Sequence, residues 1–314
     1  MTPAVSLLVP VFNRAELLVQ CLDSALAQTL SDLEVIVVDG ASTDGTWEVC
    51  QRYAAADSRV RIFRDPANTG PVRGWWRCVE EARGAYATFL WSDDMFKPTF
   101  LARTVPALTD KDVAFVFTAA EIGAEPGAGE VHYAQPSRLM PSQEFVEGSL
   151  SGAAGLPLSP ACALFRLADL RQSFVMELPT KPTTDLTGTG AGVDLLLYLL
   201  TAVRYPRVAC LSEPLAFFRA HAGSISVDGR GGQVALDYAL TRSWFAQTHG
   251  HKEFARGILA RHWLREMRGS RRLTTPAAAA TRYRHLVGPG ELMTATVVEV
   301  ARKLIRVTTA RMRR

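Results

Sequence analysis

The stretch FLWSDDMF, residues 89–96, runs an apolar segment straight into two adjacent carboxylates, Asp93 and Asp94. Neighbouring anions repel, and burial at the end of a hydrophobic strand raises that cost. One Asp is enough to shape a turn; a second beside it calls for a cation. Other residues offer matching chemistry. Asp39 ends the apolar run LEVIVVDG, Arg14 stands in PVFNRAE, and Arg73 follows DPANTG. Carboxylates and guanidinium groups at the ends of strands suit a phosphorylated ligand held with a divalent cation. Hard ions such as Mg2+ and Mn2+ take carboxylate and phosphate oxygens, while arginine or helix N-terminal amides meet phosphate. Simpler roles stand beside these. Asp39 before Gly40 can shape a turn, Asp44 can cap a helix, and Arg14 can be solvated.

These residues need elements to position them. Residues 5–12, 33–40, 60–65 and 86–91 are short runs rich in apolar and β-branched side chains, which predicts buried strands. Between them, 15–29 places apolar residues at 17, 18, 22, 25 and 26, a helical face. Residues 43–56 and 71–84 also read as helices, the latter with Pro71 in its first turn and Gly84 at its end. The alternation predicts a parallel sheet covered by helices on both faces, with ligands bound beyond the carboxyl ends of the strands. Further on, the pattern predicts a helix at 98–108, a strand at 113–122, a loop at 123–136, a strand at 160–166 and a mobile loop at 178–192. A helix at 193–203 and two short strands within 207–226 follow. From 231 the expectation is helical, over 231–249, 251–268, 275–287 and 291–311.

Composition bounds the possibilities. Of 314 residues, 48% are apolar and 21% charged, enough for a sizeable core in a soluble protein. The five cysteines are scattered with no Cys-x-x-Cys pair, so reduced thiols in a cytosolic protein are expected rather than a zinc or redox motif. The opening MTPAVSLLVPVF has no basic leader or cleavage site, so a signal peptide is not expected. No run of about 18 uncharged apolar residues predicts a membrane span. The net charge of +4 hides an asymmetry: residues 251–314 hold 15 Lys and Arg against 4 Asp and Glu, and the first 250 hold 20 against 27. A basic end on an acidic body suggests an anionic partner. No G-x-x-x-x-G-K-[ST] is present and no G-x-G-x-x-G follows the first strand, which disfavours P-loop and dinucleotide sites.

VSLLVPVFNRAELLVQCLDSALAQTLSDLEVIVVDGASTDGT, then NTG, then ARGAYATFLWSDD, closely resembles glycosyltransferase family 2. The resemblance is strong over 1–120 and patchier to 226. It implies an inverting, nucleotide-sugar-dependent transferase of the GT-A fold: a Rossmann-like, mixed but mostly parallel α/β sheet flanked by helices, here with a helical C-terminal extension. It implies that Pro10, Phe12, Asn13 and Arg14 lie around the nucleotide and that Asp39 contacts base or ribose. Ser92, Asp93 and Asp94 match the family's D-x-D-type motif, with Asp94 the metal ligand and Asp93 the ribose or sugar contact. Mn2+ or Mg2+ would then be the awaited positive charge, and Arg73 a further donor contact. Two departures stand out. Many members carry two Asp after the second strand, where this chain has Asp39-Gly40. Trp91 replaces a smaller or polar residue, and either walls the sugar pocket or packs.

Inverting transfer needs a carboxylate to deprotonate the attacking hydroxyl. The resemblance places that base at the start of a helix in the second half, where GTGAGVDLLLYLL offers Asp194; many members have Glu-Asp there. Asp185 is the reserve, and stabilising the helix N-terminus is the alternative role for Asp194. FFRAHAGSIS resembles the family segment whose His reaches metal or diphosphate, making His221 a candidate ligand and Arg219 and Ser224 candidate phosphate contacts. At the C-terminus, Met293, Val297, Val300, Leu304 and Val307 share a helical face. It could lie on an anionic bilayer, pack on the body, or join a second copy in a homo-oligomer. The resulting expectation is a donor half over 1–120, an acceptor half over 121–226 and a basic helical region over 227–314. The activity would be metal-dependent transfer from a UDP-sugar to a glycan or lipid-linked acceptor in surface polysaccharide synthesis. The location would be cytoplasmic, or the inner face of a membrane. The rivals are an inactive nucleotide- or glycan-binding relative and a nucleotidyltransferase, which would want a glycine-rich loop where PVFNRAE stands. Nucleic acid is not an expected partner, since no interleaved aromatic and basic motif appears.

Overall fold

The computed structural model describes residues 2–180, 183–221, 231–269, 290 and 293–299. The first four strands, β1 (Val5–Val11), β2 (Leu33–Asp39), β3 (Val60–Arg64) and β4 (Tyr86–Phe89), alternate with α1 (Ala15–Leu26), α2 (Thr46–Ala56) and α3 (Pro71–Glu81). They lie parallel in the order β3-β2-β1-β4. Every residue of β2 is buried, as expected for a strand covered on both faces. The chain continues through β5 (Met95–Phe96), α4 (Phe100–Thr104), a 3-10 turn (Val105–Thr109) and β6 (Val113–Gly123). Next come β7 (Glu130–His132), β8 (Arg138–Pro141), α5 (Ser142–Ser151), β9 (Ala163–Arg166) and α6 (Leu167–Ser173). A small ribbon of β10 (Glu177–Leu178) and β11 (Thr184–Asp185) leads to α7 (Val193–Ala202), β12 (Arg207–Arg219), α8 (Gly231–Thr248) and α9 (Lys252–Gly269).

The main sheet runs β3-β2-β1-β4-β9-β6-β12-β5, with β7 added to β6 and β8 to β12. Its long pairings are parallel and its antiparallel ones are short, the longest being β12 with β8 over four residue pairs. One core fills the face covered by α1, α2 and α4, around Leu18, Leu22, Cys50 and Phe100. The other fills the opposite face, where Phe115, Phe145, Phe165 and Tyr198 meet at ring separations of 5.0–5.7 Å. Each such buried ring contributes about 1.5–3 kcal/mol through removal from water. Helices α8 and α9 belong to this second core through Phe245, Ile258, Leu259 and Trp263.

Four sequence expectations change. Residues 207–219 form one strand rather than two, because Pro214 in SEP sits at a bulge between irregular registers with β6. The predicted helix at 98–108 shortens to α4 and tightens into a 3-10 turn at Pro106. The loop at 123–136 contains β7, and the loop at 178–192 contains β11. Helix α5 was not anticipated: its segment SQEFVEGSLS is mostly polar, and Gly148 is kept bare because Leu156 packs where a Cβ would stand. The predicted helices at 231–249 and 251–268 correspond to α8 and α9. The one at 275–287 lies outside the described residues, as does 291–311 apart from 293–299, which is helical. All five cysteines are free and buried. Among the described residues, no helix is long and apolar enough to cross a membrane.

Candidate active site

The loops after β1 and β2 are zipped together because those strands are adjacent and in register, Val11 opposite Asp39. Asn13, held at a φ of 49°, donates its amide to Ser42 Oγ (2.8 Å), and its side-chain oxygen accepts from Thr43 N (2.9 Å). The Arg14 amide bonds Thr46 Oγ1 (2.9 Å) and the Ala15 amide bonds Asp44 Oδ2 (3.2 Å). Asp44 Oδ1 also accepts from Thr46 N (3.1 Å) at the start of α2, a capping role. The Asp39 side chain is fully buried, accepting from Ser42 N (3.1 Å) and pairing with Arg64 Nε at 3.2 Å. It therefore shapes the turn from inside, whatever else it meets. Phe12 is 43% exposed beside Gly40 at this rim. Pro10 packs near Gly74 of α3, two positions from the end of β1. Arg73, one residue before Gly74, is exposed and close enough to Asp185 for its charge to act there.

The turn after β4 is built from both halves of the chain. Ser92 and Asp94 are buried, and Asp93 is partly exposed. The last residues of β12 return beside this turn, because β5 pairs with Ala216 and Phe217. The Arg219 amide donates to Asp94 Oδ1 (2.8 Å). The Arg219 side chain bonds the Asp93 carbonyl (3.3 Å), the Ala124 carbonyl (2.8 Å) and Gln20 Oε1 (2.7 Å). Arg219 is thus a strut tying the turn to α1 and β6, with its donors spent on protein oxygens. His221 Nε2 lies 2.8 Å from Asp93 Oδ2. The structure therefore joins His221 to Asp93, whereas the resemblance groups it with Asp94. Burial, reinforced by the Asp93 charge, pushes the Asp94 carboxyl well above the usual carboxylate range. Its Oδ2 makes no hydrogen bond among the described residues. Among those residues, no three His, Cys, Asp or Glu side chains converge as a ready ligand set. Ser224 lies outside them.

Asp194 begins α7 after Gly192, whose φ of +99° and close approach to Thr241 Oγ1 exclude a side chain. Its Oδ1 accepts from the Gly192 amide (2.8 Å) and the Leu195 amide (2.6 Å), and Tyr238 of α8 donates its hydroxyl to Oδ2. Burial pushes this carboxyl up to about 7 despite those three donors. A carboxylate half ionised at neutral pH is suited to accept a proton. Asp185 differs: bonds from Thr187 hold it below the usual range, with Arg73 adding to the effect.

A hydrogen-bonded bridge links the two carboxylate regions. Trp91, next to Ser92, donates Nε1 to Ser159 Oγ (2.9 Å), and Tyr198, one turn after Asp194, donates to the Ser159 carbonyl (2.7 Å). Trp91 also stacks on Phe89 (5.3 Å) and Trp75 (4.7 Å), so it packs. Ser159, Tyr198, Tyr238 and Arg64 escape sequence reading. None carries a local motif, and each acts across at least 25 residues, which only the fold joins.

Comparison with known proteins accords with this geometry. A family model described as Glycosyl transferase family 2 matches residues 6–174. The chondroitin synthase of Pasteurella multocida is 38% identical over 117 residues, covering 37% of this chain and 12% of that protein. The first four curated relatives align over only 30–50% of their own length. Among solved structures, residues 1–349 of S. aureus TarS in complex with UDP give a TM-score of 0.61 at 15% identity, covering 96% of this chain and 91% of that one. The mannosyltransferase PcManGT from Pyrobaculum calidifontis, in complex with GDP-Man and Mn2+, gives 0.52 at 18% identity, covering 96% and 88%. At such identities the structural likeness shows the GT-A-like fold. The family match spans more than half of the chain and contains both the zipped β1–β2 loops and the Asp93-Asp94 turn, and on that basis the chain belongs to glycosyltransferase family 2.

Proposed function

We propose that this protein transfers a sugar from a nucleotide-activated donor, a UDP-sugar, to a hydroxyl of a glycan or lipid-linked acceptor, with inversion at the anomeric carbon. The observation that carries this reading is Asp194, a buried carboxyl poised near neutrality and held by Tyr238 and two amides. Asp194 takes the proton of the acceptor hydroxyl as its oxygen attacks the anomeric carbon. The bond from that carbon to the diphosphate oxygen breaks, and the proton passes from Asp194 to solvent after the product leaves. The nucleotide lies along Pro10, Phe12, Asn13 and Arg14 with Asp39 behind them, and Arg73, Ser92 and Asp93 line the sugar diphosphate. Residues 1–120 carry the donor, 121–226 the acceptor, and 227–314 form the basic helical region.

Asp94 and His221 would hold Mn2+ or Mg2+. The fit rests on a buried carboxylate with one oxygen lacking a hydrogen bond and a second carboxylate beside it, a donor set that favours a hard cation. Such sites use few protein ligands when phosphate oxygens supply the rest. When bound, the cation stabilises charge on the leaving diphosphate.

A UDP donor is supported by the likeness to TarS bound to UDP, and a polysaccharide acceptor by the likeness to chondroitin synthase. Met293, Val297 and Val298 are 52%, 66% and 43% exposed on the short described helix near the basic end. This supports contact with an anionic bilayer at the inner face of a membrane, or with a second copy of the chain.

The test is calorimetric titration of UDP and GDP, with and without Mn2+, into wild type and Asp94→Ala. Metal-dependent UDP binding is expected, weakened at least tenfold in the variant. Tight binding of GDP alone would keep the reaction class and change the donor. Absence of nucleotide binding under every metal condition would overturn the reading.

A further inference from the structure

Arg242 on α8 is held over the Tyr238 ring, its guanidinium carbon 5.6 Å from the ring centroid. Its Nε is buried without a hydrogen-bond partner. Among the described residues, its guanidinium makes no hydrogen bond or ion pair. The other partly buried arginines differ. Arg61 bonds Glu34, Arg166 bonds three carbonyls, Arg204 bonds Asp169 and Ser173, and Arg219 is tied as described above. Arginine keeps its proton in proteins, so Arg242 holds a partly buried positive charge whose Nε donor meets no acceptor. Burial works against that charge; Tyr238 and Asp194 favour it, and Arg265 and Arg261 add a weaker repulsion. Arg261 is offset by Glu299 at 3.0 Å, but Arg265 has no carboxylate partner among the described residues. A buried guanidinium donor without an acceptor is costly, and the oxygen of an anion can supply one.

The place of this charge gives it a role. Tyr238, under Arg242, is the same residue whose hydroxyl holds Asp194. The residue before Arg242, Thr241, packs its own buried and unpartnered hydroxyl on Gly192, just before α7. One face of α8 therefore brings Tyr238 onto the Asp194 carboxylate and Arg242 close enough for its charge to act on it. We infer that Arg242 forms a subsite for an anionic group, a phosphate or a carboxylate, carried by the acceptor next to the hydroxyl that Asp194 deprotonates. The inference rests on the proposed role of Asp194, and it narrows the acceptor to a glycan or lipid-linked chain bearing negative charge. The planar guanidinium fork, with one face on Tyr238, leaves its edge to grip two oxygens at once.

The test uses the full chain with Mn2+ and saturating UDP, so that the donor site is filled. Glycerol 3-phosphate and galacturonate are titrated by calorimetry, with glycerol and galactose as neutral counterparts. At least one anionic probe should bind while the neutral ones do not, and the one that binds separates phosphate from carboxylate. Arg242→Gln should weaken it about tenfold or more, and Arg242→Lys should retain part of the affinity. Circular dichroism checks folding; if the Gln variant does not fold, the Lys variant carries the comparison. The inference fails if neither anionic probe binds wild type, or if both variants bind as wild type does. It also fails if Arg242→Gln weakens UDP and leaves the probes unaffected, which would put Arg242 on the donor. If UDP itself does not bind, the proposed function is in error, and the probe titration repeated without UDP still reads Arg242.

Discussion

The two carboxylate regions of this protein are built in opposite ways. Around Asp39, Asn13, Ser42, Asp44 and Thr46 satisfy one another across two neighbouring loops, and strand register alone brings them together. Around Asp194, two local amides are joined by Tyr238 from a helix 44 residues further along, and an aromatic bridge through Ser159 ties the region back to Trp91. The first region is a rim whose loops are held in place by their own hydrogen bonds. The second depends on the docking of α8 and places a carboxyl in surroundings that disfavour its charge. Shape is set by local pairing; a proton-accepting group is set by distant packing.

The largest expected effect separates the regions by function. Asp194→Asn should lower kcat by about 10^2–10^4 while UDP affinity stays within about twofold. Turnover of a UDP-sugar, read beside UDP calorimetry, checks it; an equal loss of both would merge the two regions. The same variant tests the charge. With its pKa raised to about 7, Asp194 is protonated in the folded protein and ionised in the unfolded chain between about pH 4 and 7. The folded state binds more protons there, so wild-type stability should fall as pH rises through that window, and Asp194→Asn should flatten the slope of Tm against pH.

A smaller effect is expected from Tyr238→Phe. The hydroxyl is the foremost group lowering the Asp194 pKa against burial. Its loss should move the acidic limb of the kcat profile to higher pH, leaving the plateau rate less affected. An unchanged limb with a lower plateau would mean that Tyr238 only packs. The smallest effect tests the bridge. Ser159→Ala removes the partner of Trp91 Nε1 and should cost about 1 kcal/mol in denaturant unfolding. A cost much below this would show that the Trp91 Nε1 bond adds little to the ring packing that ties the Asp194 region to the SDD turn.

Much of the N-terminal α/β part was legible because its signals are short-range. Each of the first four strands is a buried run bounded by turn residues, and each intervening helix has an apolar face, so alternation alone predicts a parallel sheet. Asp93 and Asp94 could be singled out because their adjacency is unusual at the end of an apolar run. Asp194 was legible only through its motif-like position. Its proton affinity was not, since burial and Tyr238 decide it. Pro214 misled, because a proline that reads as a break is tolerated at a bulge. Helix α5 was hidden because its polar sequence is held by packing of Leu156 on Gly148 rather than by a broad apolar face.

By itself, then, the sequence determined the alternating α/β framework, the residues at the ends of the first strands, and the two carboxylates of the SDD turn, because backbone preference and apolar periodicity act over a few residues. Only the tertiary structure decided that His221 meets Asp93, that Arg219 braces the turn, and that Tyr238 and Arg242 stand together at Asp194. Those pairings join segments 44 to 128 residues apart. Contacts of that range are set by how helices and strands pack, and desolvation, which tunes the charges, exists only once that packing is complete.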